Sequence, residues 1–385
     1  MGHTSLSQHQ PHLKYLDHRE LGALYWSVFI KGIGDSLISI FTAIYLLEIG
    51  FHLPEVAIFY ILYFAICALG ARFSMHLSQV WGVKKTLGTG TIVFIIYFFL
   101  LTRIPVGIPY WLVGIVYGCG ASLYWSAFQL DLAAAIRSRT AGQSLSYIQI
   151  LAISAGIIGP VFGALFIVHW SFAALFILVS AILAASLAPL LKRGDYQMPD
   201  EIPSWRSSLT ASSPLKALRY GLYGATESAV DILWPVFIYL TYPHLVSIGG
   251  IVGLTSLLML IVSYFAGKWA DRSQILVYRT GILTGASTWL FRLLWLTPTG
   301  LLIGNFLGTA TNSLVALTLD QSMYHDAKAG TSTPAILLFR TGYAAIGRIA
   351  VLAIACFINR LEVLFIITAV ITLSQIFIST DNKAL

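Results

Sequence analysis

Apolar residues run through this chain in long blocks, broken at intervals by short polar clusters. A helix needs about 20 mostly apolar residues to cross the hydrocarbon core of a bilayer. The sequence holds twelve such blocks, approximately Gly22–Leu47, Pro54–His76, Thr86–Arg103, Ile108–Ala133, Ala141–His169, Trp170–Leu191, Pro214–Thr241, Val246–Trp269, Ile275–Leu296, Thr299–Tyr324, Thr331–Phe357 and Leu361–Ser379. The pattern predicts an all-α membrane protein with twelve transmembrane helices. The fifth and sixth blocks are separated only by His169 and Trp170. The longest polar connection, Lys192 to Ser213, falls between the sixth and seventh and divides the chain into near-equal halves. The expected organisation is a tail over 1–20, a six-helix bundle over 21–191, a linker over 192–213, a second bundle over 214–380, and a short tail over 381–385.

Composition strengthens this picture. Of 385 residues, 57% are hydrophobic and only 10% charged, against about 25% charged in soluble domains. The net charge of +7 admits a nucleic-acid partner in principle, but the basic residues gather at helix ends on one side. Lys84, Lys85, Arg137, Arg139, Lys192, Arg193, Arg206, Lys216 and Lys268 lie in or beside even-numbered loops, whereas the odd-numbered loops carry only Arg103 and Arg360. Basic loops stay in the cytoplasm. Both termini are therefore expected there, in a multi-pass protein of the cell (plasma or inner) membrane, with lipid and no nucleic acid as partner.

Metal, redox and enzyme chemistry find little support. His3, His9, His12 and His18 offer possible metal ligands, but a disordered polar tail accounts for them. Cys67, Cys119 and Cys356 are scattered through apolar blocks, without CxxC spacing. There is no nucleophile elbow or phosphate loop, and the glycine-rich stretches lie inside apolar helices. No cofactor is expected.

The two halves repeat. Ile44-Tyr45-Leu46 ends the first block and Ile238-Tyr239-Leu240 the seventh; Leu130-Asp131 and Leu319-Asp320 end the fourth and tenth. A shared offset at shared helix positions marks an internal duplication. Paired six-helix bundles of this kind build transporters with a site near the midplane.

With these features the chain resembles the major facilitator superfamily over Leu21 to Thr380. The family's signature loop, close to Gly-x-Leu-Ala-Asp-Arg-x-Gly-Arg-Arg, falls here on Met75 to Lys85. Leu77, Gly82 and Lys84 match, Lys85 supplies a further basic residue, Gln79 replaces the acid, and Val80 replaces the first arginine. The second-half copy, Gly267-Lys268-Trp269-Ala270-Asp271-Arg272, keeps the pattern better. The resemblance implies that these loops latch the bundles, with Asp131 and Asp320 as symmetric partners, and it implies a monomer. Gly159-Pro160-Val161-Phe162-Gly163-Ala164 is similar to an element of family exporters, yet the arginine that proton-coupled drug exporters carry in the fourth helix is missing between Trp111 and Leu130.

Ionisable groups at membrane depth cost roughly 3 kcal/mol or more each and are functional candidates. Lys31 and Asp35, on the first helix, are one turn apart and can pair. Glu227 and Asp231 repeat the spacing on the seventh. Two adjacent carboxylates repel, so one is expected to hold a proton near neutral pH. Arg340 and Arg348, about 80° apart on the eleventh helix, are placed to bind an anionic substrate or to pair with Glu227, Asp231 or Asp320. Polar faces on the fourth helix (Ser122, Ser126, Gln129, beside Trp125) and the tenth (Asn305, Thr309, Asn312) suggest a cavity, or helix–helix contacts. Arg292 is expected to snorkel from a helix end. The reading that follows is a secondary transporter of a small organic molecule working by alternating access, proton-coupled, with export preferred. Import or uniport of a sugar, metabolite or organic anion is the alternative, as is a non-transporting binding or scaffold protein of the same fold.

Overall fold

The computed structural model describes residues 18–136, 141–191, 195, 197, 201–328, 332–358 and 360–378, with side chains undescribed at 18–25, 133–136, 141–153, 190–191, 264, 267–268, 271 and 324–328. Twelve helical spans account for nearly all of it. They are α1 (His18–Ile38 and Phe41–Glu48), α2 (Leu53–Val80), α3 (Val83–Leu101), α4 (Tyr110–Ile136), α5 (Ala141–His169), α6 (Phe172–Leu191), α7 (Pro214–Ser228, Ala229–Leu233 and Trp234–Thr241), α8 (Leu245–Arg272), α9 (Gln274–Leu294), α10 (Pro298–Lys328), α11 (Thr333–Phe357) and α12 (Leu361–Ile378). A short helix, Trp205–Leu209, sits in the linker.

Packing repeats across the two halves. In the first, α1 packs on α5 and α6, α4 on α2 and α3, and α3 on α6. In the second, α7 packs on α11 and α12, α10 on α8 and α9, and α9 on α12. The main seams between halves, α2 with α11 and α5 with α8, are likewise counterparts. The α5–α8 seam is close because α8 offers glycine to it. A Cβ at Gly253 would stand 2.7 Å from the Ile157 carbonyl oxygen, so only glycine allows the backbones to meet.

Two spans are interrupted, and they are counterparts. The ladder of α1 breaks at Ser39–Ile40, where the Ser36 and Ser39 hydroxyls donate to the carbonyls of Ile33 and Ser36. In α7 the residues Ala229–Leu233 form a π turn, in which the Trp234 amide donates to the Ala229 carbonyl five residues back. Pro235 explains the place: it has no N–H to offer the Asp231 carbonyl four residues earlier. Broken helices survive at membrane depth only where protein or a wet cavity serves the freed peptide groups.

The linker clasps one end of the bundle, where α2 ends and α3 begins. Asp195 accepts from the backbone N–H of Lys84 and Lys85 at 2.9 and 3.0 Å. It thereby caps α3 and places a carboxylate at the positive end of its dipole. Gln197 donates to the Val80 carbonyl and Arg72 to that of Pro203. Beyond them, Leu209 accepts from the Tyr343 hydroxyl of α11, so the linker touches both halves. Asp195→Ala is expected to cost about 1 kcal/mol, measured by unfolding in detergent, with Asp195→Asn recovering part of it.

Candidate functional site

A cavity of 630 Å³ lies between the halves. Six aromatic side chains from the first half face it: Tyr63, Phe94, Tyr97, Phe98, Tyr117 and Trp125. Tyr117 is stacked between Tyr63 and Tyr97, with ring centroids 4.2 and 4.3 Å away. The second half contributes a more polar wall, with Asp231 and Val230 from the π turn, Thr255 and Ser256 from α8, and Asn305, Thr309, Asn312 and Ser313 from α10.

The charged groups are arranged in a graded way. Lys31 is 3% exposed and pairs with Asp35, whose side chain is 43% exposed toward the cavity. Its ammonium lies 4.1 Å from the Tyr124 ring centre and 5.0 Å from that of Phe94, so cation–π attraction adds to the ion pair. Glu227 does not pair with its neighbour on α7. It reaches across to α11 and receives Arg348, whose Nε donates at 3.1 Å and whose Nη2 closes the fork. The Tyr223 hydroxyl also donates to it, at 3.4 Å. These two pairs are each neutral overall. Asp231 remains: it is exposed to the cavity and makes no hydrogen bond or ion pair among the described residues.

The other predicted cavity residues divide. Asn305, Thr309 and Asn312 line the cavity. Asn305 is also fixed from both sides, accepting from Trp234 Nε1 at 3.0 Å and donating to Thr255 at 2.8 Å. Of the α4 set only Trp125 faces the cavity. Ser122 is buried against α2, sharing a 3.0 Å hydrogen bond with Ser74, and Ser126 is buried too. Gln129 and Arg340 line a second cavity of 290 Å³ between α4, α10 and α11, which Trp125 also borders. There Arg340 pairs with Asp320 at 2.8 Å.

The loop residues lie together at the clasped end. Gly82 adopts φ +111° and lies against Asp195, a backbone state that suits glycine. Lys84 is buried, Lys85 exposed, and Asp131 2% exposed. Gln79 is engaged in a contact of its own. Asp195, in the linker, is the acid that the structure places against this loop, at the start of α3. Arg272 is exposed at the end of α8, which also carries Gly267, while the Asp271 side chain lies outside the described residues, as do His3, His9, His12 and the His18 side chain. Among the described residues no group of three potential metal ligands forms.

Two features were not foreseen. At the end opposite the clasp the second segments of α1 and α7 touch, and the Tyr239 hydroxyl donates to Glu48. Arg292 does not snorkel: it is 1% exposed, with its guanidinium 4.1 and 4.2 Å from the ring centres of Trp234 and Trp289. Trp289, one turn before Arg292 on the same helix face, was the available signal.

Residues 24–349 match the sequence pattern of the Major Facilitator Superfamily. The chain belongs to that superfamily. This MFS transporter shares its fold with several solved structures at low identity. A POT family transporter in complex with 5-aminolevulinic acid superposes with a TM-score of 0.75 at 11% identity, covering 94% of this chain and 95% of that one. The nucleoside transporter NupG gives 0.70 at 12%, covering 93% and 98%. The human organic anion transporter MFSD10 (TETRAN) gives 0.66 at 12%, covering 94% and 99%. Among curated proteins none matches the sequence. At such identities the likeness establishes the fold of this MFS transporter and leaves its substrate to be argued from the cavity.

Proposed function

We propose that this protein carries a small organic molecule through the 630 Å³ cavity by alternating access, coupled to protons at Asp231, in the direction of export. The observation that supports it is Asp231 itself, an unpartnered carboxylate in a π turn, facing the cavity between two already neutral pairs. π turns inside helices concentrate at functional sites. With Asp231 protonated, the ionisable lining is neutral overall; ionised, it carries one negative charge. A site that alternates in this way suits an uncharged or weakly charged substrate and a single coupling proton. Asp35 and Glu227, already engaged, tune that site.

In this reading residues 21–191 and 214–380 are the two rocking bundles, 192–213 is a cytoplasmic linker, and both tails face the cytoplasm of the cell or inner membrane. The protein acts as a monomer. The Glu48–Tyr239 contact then lies on the outer side, and the arrangement is inward-facing. The similar structures are named for 5-aminolevulinic acid, nucleosides and organic anions; this breadth fits an organic substrate of modest size and selects none.

A panel of sugars, amino acids, organic anions and lipophilic cations, screened by thermal stability of the purified protein at two pH values, tests the proposal. A true ligand stabilises by RT ln(1 + [L]/Kd). A hit whose stabilisation changes with pH, and loses that change in Asp231→Asn, supports coupling. A hit indifferent to both pH and the substitution refutes it. Tyr239→Phe tests the gate. With the native cysteines replaced, a cysteine placed at Ser39, in the cavity wall, should be labelled several-fold faster from outside once the Glu48 contact is lost.

A further inference from the structure

Inside the second half, apart from the substrate cavity, lies a small chamber walled by α7, α9, α10 and α12. Its volume of 20 Å³ exceeds the roughly 10–15 Å³ that one water needs, so a small solute fits. Arg292 borders it. One guanidinium edge is used, with Nε donating to the Gly304 carbonyl at 3.2 Å, and the indoles of Trp234 and Trp289 pack against the group. The other edge, Nη1 and Nη2, is buried without an acceptor. Among the described residues no carboxylate pairs with it. A guanidinium keeps its proton in a protein, so it stands here as an uncompensated cation.

The remaining polar groups of the wall do not supply an anion. Thr226, Thr288 and Thr311 donate their hydroxyl hydrogens to backbone carbonyls, and Gln375 is bonded to Thr226 and Tyr278. Asn312 is unused: its Oδ1 is buried without a donor. A half-turn of that amide exchanges its oxygen for its NH2, which turns a spare acceptor into two spare donors. Asn312 and Val230 border both this chamber and the substrate cavity. They therefore mark where a solute would enter.

We propose that this chamber binds a small monovalent anion of chloride or bromide size, gripped in the plane of the guanidinium by Nη1 and Nη2 of Arg292 and by the Asn312 amide. One positive charge calls for one negative charge, which disfavours the divalent sulfate. Paired hydrogen bonds from a guanidinium are among the strongest grips a protein has on an anion. The site stands independently of the coupling assigned to Asp231.

The test is the melting temperature of the full-length protein in detergent at fixed pH and ionic strength, as sodium gluconate is replaced by chloride, bromide or sulfate. Chloride and bromide should each raise it saturably, and sulfate should not. Arg292→Lys, which keeps the charge but loses the fork, should abolish the response, while Arg360→Lys, at an exposed position, should keep it. Gly285→Ala offers a variant that folds more readily. Its added methyl would lie no closer than 3.4 Å to its neighbours, yet it takes up part of the chamber and should weaken the response. Bromide-grown crystals should show an anomalous peak beside Arg292. A melting temperature indifferent to chloride in the wild type would overturn the proposal and make the chamber a water site. A full chloride response retained by Arg292→Lys or Gly285→Ala would overturn it equally.

Discussion

Asp231→Asn is expected to abolish uptake or extrusion driven by a proton gradient while leaving exchange of substrate across proteoliposomes intact. Asparagine keeps the size and polarity of the protonated side chain but can neither release nor accept the proton. The carrier is then fixed in one protonation state. It can still bind substrate and reorient with it, so counterflow persists, whereas the coupled half of the cycle is closed. The effect should be near-complete, because Asp231 has no partner to take over its role among the described residues. Asp35→Asn should be milder on coupling and harsher on binding, since it releases Lys31 into the cavity wall beside Tyr124 and Phe94. Loss of exchange together with driven transport in Asp231→Asn would assign the residue to substrate binding instead.

Arg348→Met is expected to destabilise the protein by about 1–3 kcal/mol, less than breaking a fully buried ion pair costs, because the Arg348 and Glu227 side chains are 28% and 21% exposed. The guanidinium holds Glu227 from α11 and rests over the Phe64 ring of α2 at 4.9 Å. It therefore ties the second half to itself and to the first. Without it, two carboxylates one turn apart on α7 are left with no cation. Adding Glu227→Gln to Arg348→Met should recover most of the loss, because the uncompensated charge, rather than the missing contact, is the larger cost. Denaturant or thermal unfolding of the single and double variants decides this. Equal instability in both would mean that Arg348 acts through packing against Phe64.

Much of the architecture was written in the hydropathy. Each block became a span, and even the pair divided only by His169 and Trp170 resolved at that point. Apolar length is enough for this, because lipid forces every backbone group into helical bonding. Among the described residues nine spans are apolar enough to be recognised alone, and α7, which carries Lys216, Arg219, Glu227 and Asp231, is not one of them. The candidate charges were visible for the same reason: in such surroundings each is conspicuous. Their partners were less so. Spacing on one helix found Lys31–Asp35, whereas it left Glu227 as one of several partners open to Arg348, a choice that depends on how α7 meets α11. The serines of α4 misled because a hydroxyl that faces a cavity and one that joins two helices leave the same pattern. Asp195 escaped notice because its target lies 110 residues away in sequence, across a loop whose path hydropathy does not describe. The π turn had a sequence sign in Pro235, four residues beyond Asp231, though proline alone does not tell a kink from an inserted residue.

The interruptions in α1 and α7 also limit how the protein can move. Each leaves peptide groups that only water or polar side chains can serve, and acyl chains supply neither. Lipid therefore forbids any rearrangement that turns Ser39–Ile40 or Ala229–Leu233 outward. The two helices are free to lean, and their outer segments to swing, but neither can roll about its own axis. Whatever path joins the two states of this transporter, these two stretches of backbone must stay against polar protein groups or cavity water along all of it.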